Sequence, residues 1–146
     1  MAVDIAPRAI ELAQARAIKA GVSVDFKQIN FLEDVSNLGK FDFVFDRAVA
    51  PFRNLADRDQ FSANVASRML PDAKWLSISI SNENGSHPDY YDPPRRSILD
   101  VVSAIDSYLQ ILSIEATILE RNDDWKMPAW VTLSQIRKHA VTRTIF

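Results

Sequence analysis

The sequence predicts an α/β fold with a mainly parallel sheet. Three observations carry that expectation. Segments of helical and of strand periodicity alternate along the chain. The length, 146 residues, is near the commonest size of one domain. Hydrophobic residues at 47% against charged residues at 25% give an ordinary globular balance rather than a disordered one. One domain over residues 1–146 follows, without an internal repeat, low-complexity tract or linker.

The elements justify themselves in order. Ala2-Val3-Asp4-Ile5 reads as the end of a buried strand. Pro7 suits a first helical position, where its missing N–H costs nothing. Residues 8–20 are rich in Ala and straight-chain side chains, and Ile10, Ala13 and Ala17 line one face, so a helix should pack this stripe on a sheet. Gly21 is placed to cap it. Val22, Val24 and Phe26 alternate with Ser23, Asp25 and Lys27, which predicts a strand ending at Ile29-Asn30-Phe31. Phe41-Asp42-Phe43-Val44-Phe45 is the next strand, its phenylalanine stripe expected in the core, ending at Asp46-Arg47. Residues 57–70 form a helix with Phe61, Val65 and Met69 on one face. Pro71-Asp72 is a turn. Residues 75–81 form a strand with Leu76, Ile78 and Ile80 on one face and serines on the other. Residues 82–94 are irregular and polar. Ser97-Ile98-Leu99-Asp100 has capping-box spacing, and Ile98, Val101, Val102 and Ile105 make the buried stripe of the helix it opens. Residues 109–119 and 130–136 are the last strands, joined by a charged connection. With no helix between them they should pair antiparallel.

Composition excludes several functions. Lys and Arg number 17 against 19 Asp and Glu, a net charge of -2, so there is no basic excess to hold nucleic acid by bulk electrostatics. There is no cysteine, which removes disulfides, thiolate metal sites and cysteine nucleophiles, and fits a reducing, cytoplasmic setting. No apolar run reaches the roughly 20 residues of a membrane span. The start carries no secretory pattern. Glycine is scarce: three residues, Gly21, Gly39 and Gly85, where average usage gives about ten, and they are too scattered to build a phosphate loop. His87 and His139 suggest no shared metal site. The serines lack a histidine partner for nucleophilic hydrolysis.

Several segments together resemble a class I S-adenosylmethionine-dependent methyltransferase. Val3-Asp4-Ile5-Ala6-Pro7 is similar to that family's strand-two ending, Val24-Asp25-Phe26 through Asn30-Phe31 to the end of strand three, and Phe41 through Arg47 to strand four. Residues 65–74 stand where the family turns into strand five. Pro93-Pro94-Arg95-Arg96-Ser97 and Ile114-Glu115 with Met127-Pro128-Ala129-Trp130 look most like the thiopurine and tellurite-resistance branch.

The resemblance implies a Rossmann-like sheet and methyl transfer from S-adenosylmethionine to a small-molecule acceptor, by direct displacement without an obligatory metal. Asp4 would take the ribose diol, Ile5 the adenine face, Asn30 the adenine amino group in place of the family's usual Asp, and Phe31 would offer its backbone N–H to the ring. Asp46 and Arg47 would lie near the methionine end and the acceptor. Beside these, Asp4 can equally serve as a helix cap and Asn30 as a turn residue. Asp46-Arg47 can be a plain ion pair, Arg95 and Arg96 solvated charges, and Tyr90 and Tyr91 surface residues or a lid. The family's first strand and Gly-rich turn have no counterpart here. The resemblance therefore implies a C-terminal portion of the domain, with two open sheet edges and weak cofactor binding, or else a non-catalytic methyltransferase-like interaction protein.

Overall fold

The computed structural model describes residues 1–47, 54–83, 95–120 and 126–138. The chain falls into two compact units, Met1–Asn37 and Leu38–Phe146.

In the first unit, β1 (Ala2–Asp4) and β2 (Phe26–Gln28) pair in parallel, with α1 (Pro7–Lys19) as the crossover between them. Pro7 does sit in the first turn, and the helix ends as Gly21 predicts. Gly21 adopts φ +67°, its N–H reaches the Ile18 carbonyl at 3.0 Å, and the Val22 N–H reaches Ala17 at 3.0 Å. These two bonds make a Schellman ending, which a residue with a Cβ would strain. Ile10, Ala13 and Ala17 form the less exposed face of α1, although no residue of this helix is fully buried. The strand expected from Val22 is shorter than its alternation suggests. Val22 and Val24 are exposed, and pairing begins only at Phe26 because β1 offers three residues to pair with.

The second unit is a sheet under two helices. Its strands are β3 (Phe41–Arg47), β4 (Met69–Ile80), β5 (Leu109–Glu120) and β6 (Lys126–Ile136), in the order β3-β4-β6-β5. β3 and β4 are parallel, and β6 runs antiparallel to both β4 and β5, as the missing crossover requires. Only β6 is reversed, so the strand directions are mainly parallel. Pro71-Asp72 does not interrupt β4. The pairing with β3 instead slips between Phe41 and Phe43, and Leu70, Pro71 and Asp72 stay exposed in that irregularity.

Helix α2 (Leu55–Arg68) is capped by Asn54, whose side chain accepts from the Asp57 N–H at 2.8 Å. Helix α3 (Ile98–Asp106) carries the predicted capping box: Asp100 N–H donates to Ser97 Oγ at 3.1 Å, and Ser97 N–H donates back to Asp100 Oδ2 at 3.1 Å. Phe61 and Val65 are buried on α2 as expected. The helix runs over 55–68 rather than 57–70, so Met69, also buried, begins β4 instead of extending the helical stripe. Val101, Ala104 and Ile105 of α3 are buried as well. Each of these side chains except Ala104 contributes about 1.5–3 kcal/mol by leaving water. Ile98, in the first turn of α3, is exposed.

The phenylalanine stripe of β3 is corrected. Phe43 and Phe45 are 53% and 54% exposed. The helices cover the opposite face, where Val44 and Asp46 lie in register with Trp75 and Ser77. Among the described residues β1 pairs only with β2 and β3 only with β4.

Candidate functional site

Four of the predicted site residues share one corner of the first unit. β1 and β2 are parallel, so both carboxyl ends point the same way, with Asp4 opposite Gln28. The Ile29 N–H donates to the Asp4 carbonyl at 2.9 Å, and Gln28 Nε2 reaches the Ile5 carbonyl at 3.4 Å. This ties Asp4 and Ile5 to the segment leading into Asn30 and Phe31.

Asp4 Oδ1 accepts from the Ala6 N–H at 2.8 Å, which shapes the entry to α1 without capping it. The cap residue is Ala6, and it provides no side-chain bond. Asp4 is exposed, and its Oδ2 takes no hydrogen bond among the described residues. Ile5 is 62% exposed beside it. Asn30 is more committed. Its Oδ1 accepts from Leu32 N–H at 3.2 Å, and its Nδ2 donates to Glu33 Oε1 at 3.0 Å, so the turn reading holds whatever else this residue does. Phe31 is half-buried in the same turn.

The other two predicted residues end β3 in the second unit and face opposite ways. Arg47 is exposed and donates through Nη2 to the Glu120 carbonyl at 2.7 Å. It spans strands rather than pairing with Asp46. Asp46 turns under the helices and accepts from the Trp75 indole, Nε1 to Oδ2, at 2.7 Å, and from the Ser77 hydroxyl. Removal of its carboxyl from water dominates over both bonds and pushes its pKa up from 3.8 to about 6.

Asp46 lines a cavity of about 50 Å³ between the sheet and the two helices. Its walls include Trp75 and Ser77 from β4, Arg58 and Phe61 from α2, and Asp100 from α3; Arg96 enters from just before α3. Arg58 Nη1 bridges the helices, reaching Asp100 Oδ1 at 2.8 Å and the Asp100 carbonyl at 3.2 Å. Arg58 and the Ser97 cap together hold the Asp100 carboxyl below its usual range. Arg96 joins the carboxyl end of β4 through its backbone, with its N–H on the Ile80 carbonyl at 2.8 Å, and its carbonyl accepts from Trp130 Nε1 at 3.1 Å.

Sequence reasoning missed Trp75, Ser77, Arg58 and Asp100 as a polar group. One signal was legible: Trp75, Ser77 and Ser79 share a strand face. Nothing local tells which face the helices cover. His87, Tyr90, Tyr91, Trp125 and His139 lie outside the described residues.

The residues present fit half of a nucleoside sulfonium. An exposed carboxylate with a free oxygen, beside an exposed isoleucine, suits a ribose and an adenine face. Neither described glycine forms a cradle: Gly21 and Gly39 are turn residues at positive φ, with open space where a Cβ would stand.

No protein-family profile matches the chain, and no curated protein matches it. Solved structures do. An S-adenosylmethionine-dependent methyltransferase from Methanosarcina mazei superposes with a TM-score of 0.73 at 16% identity, over 92% of this chain and 80% of that one. The fold is a Rossmann-like methyltransferase fold. The N-methyltransferase NodS from Bradyrhizobium japonicum, solved with S-adenosyl-l-homocysteine, gives 0.68 at 13% identity over 93% of this chain. TehB from Haemophilus influenzae gives 0.68 at 12% identity over 92% of this chain. The chain spans 65% of the length of NodS and 49% of TehB. No described helix is long and apolar enough to cross a membrane.

Proposed function

We propose that the chain is part of an S-adenosylmethionine-dependent methyltransferase that acts on a small-molecule acceptor, with both units belonging to one such domain. The observation that carries this reading is the Asp4 carboxylate, exposed at the carboxyl end of a parallel strand with Oδ2 uncommitted, in a chain with a methyltransferase fold. Asp4 would hold the ribose and Ile5 the adenine face. Asn30 Oδ1 would share its second lone pair with the adenine amine, and the Phe31 N–H would meet the ring. When bound, the cofactor supplies an electrophilic methyl group on a sulfonium. Asp46 and Arg47 would border the acceptor end.

Because the described residues offer contacts to the nucleoside half alone, binding by this chain should be weak, with Kd on the order of 1 mM. S-adenosylhomocysteine and adenosine should then bind equally. A titration followed by amide NMR should shift Asp4, Ile5, Asn30 and Phe31 with either ligand, and Asp4→Ala should abolish the shifts. Silence at these four amides with both ligands would remove the proposal.

A second reading is a non-catalytic methyltransferase-like interaction protein. The half-exposed Phe43 and Phe45, on a strand with one neighbour among the described residues, favour it.

A further inference from the structure

Asp46 has two neutral donors, the Trp75 indole and the Ser77 hydroxyl, although guanidinium groups line the same cavity. The charged groups on the walls are Arg58 from α2, Asp100 from α3 and Arg96 from the segment before α3; β4 contributes only neutral side chains. Arg58 is bound to Asp100, which also closes the capping box of α3. Two guanidiniums therefore share one cavity with two carboxyls: Asp100 is ionised and holds Arg58, whereas the part-buried Asp46 has no ion pair among the described residues.

We propose that Asp46 and Asp100 compete for Arg58, so that ionising Asp46 draws the guanidinium off the N-terminus of α3 and loosens that helix from α2. The cavity gives the side chain room to move. An ionised carboxylate in this site gains more from a cation than Asp100 does, because Asp100 is half-exposed and keeps its Ser97 bonds. The raised pKa of Asp46, about 6, puts the exchange in an accessible pH range. The loosened turn follows directly on Arg96, whose backbone pairs with the end of β4 through Ile80 and Asn82, so the change reaches the carboxyl end of the sheet.

The test is an NMR pH titration of the 146-residue chain that follows the Trp75 indole N–H and the Asp100 amide, which donates to Ser97. Both signals should step with one midpoint in the unmodified chain, and both steps should vanish in Asp46→Asn. Asp100→Asn frees Arg58 and should lower the Trp75 midpoint by about one pH unit. Arg58→Gln removes the cation and should raise that midpoint; it keeps the capping box and so serves if Asp100→Asn frays the helix. A flat Asp100 amide while Trp75 titrates, or a midpoint unmoved in Arg58→Gln, overturns the proposal.

Discussion

The two faces of the β3-β4-β6-β5 sheet contrast in a way that inverts the usual relation between polarity and burial. Under the helices lie Asp46, Trp75, Ser77, Trp130, Thr132 and Ser134, a row rich in hydroxyls, of which Trp75 is 3% exposed. On the other face Phe43 and Phe45 are half-exposed, and Leu76, Ile78, Val131 and Leu133 are only partly covered. Which face a helix covers decides burial; the side chains then have to find partners there. Asp46 finds Trp75 and Ser77. Among the described residues, Thr132 Oγ1 and Ser134 Oγ find none.

The largest test of this contrast compares two aromatic truncations. Trp75→Ala empties a packed site against Phe61, with ring centroids 6.1 Å apart, and should cost about 3–5 kcal/mol. Phe43→Ala should cost under about 1 kcal/mol. Urea unfolding measures both, and equal losses would erase the difference between the faces.

Asp46→Asn comes next. The folded chain holds the Asp46 proton more tightly than the unfolded chain, with a pKa of about 6 against 3.8. Its contribution is therefore fully present below pH 3.8 and lost as the pH rises through 6. Asparagine still accepts from Trp75 and cannot ionise. At pH 7 the variant should be more stable than the parent by up to about 3 kcal/mol, a gain that closes towards pH 3.5. Denaturation at both pH values checks the sign.

The smallest effect is expected from Thr132→Val, which keeps the shape and removes a buried hydroxyl. It should stabilise by about 1 kcal/mol. A loss instead would show that the hydroxyl serves a buried water.

Much of the fold was legible because its signals are local. The capping box at Ser97 and Asp100, the Gly21 helix ending and the Phe61-Val65 face of α2 each need only a few neighbouring residues, and each stands as expected. The Val22 strand and the Phe43-Phe45 core failed for one reason. Alternation marks two faces, yet pairing length and burial depend on what another element provides. The site divides the same way. Asp4, Ile5, Asn30 and Phe31 came from motif positions and share a corner of one unit. The Arg58–Asp100 bridge joins residues 42 positions apart and leaves no local trace.

Residue order alone determined the Gly21 ending of α1, the Ser97 start of α3 and that β5 and β6 run antiparallel, since caps, turns and loop lengths act over a few residues. Only the tertiary structure decided that β6 enters between β4 and β5, that the serine face is the covered one, and that Asp46 is held by an indole rather than by its neighbour Arg47. These depend on which surfaces meet across long stretches of chain, where the gain from excluding water is shared among many side chains and belongs to no single segment.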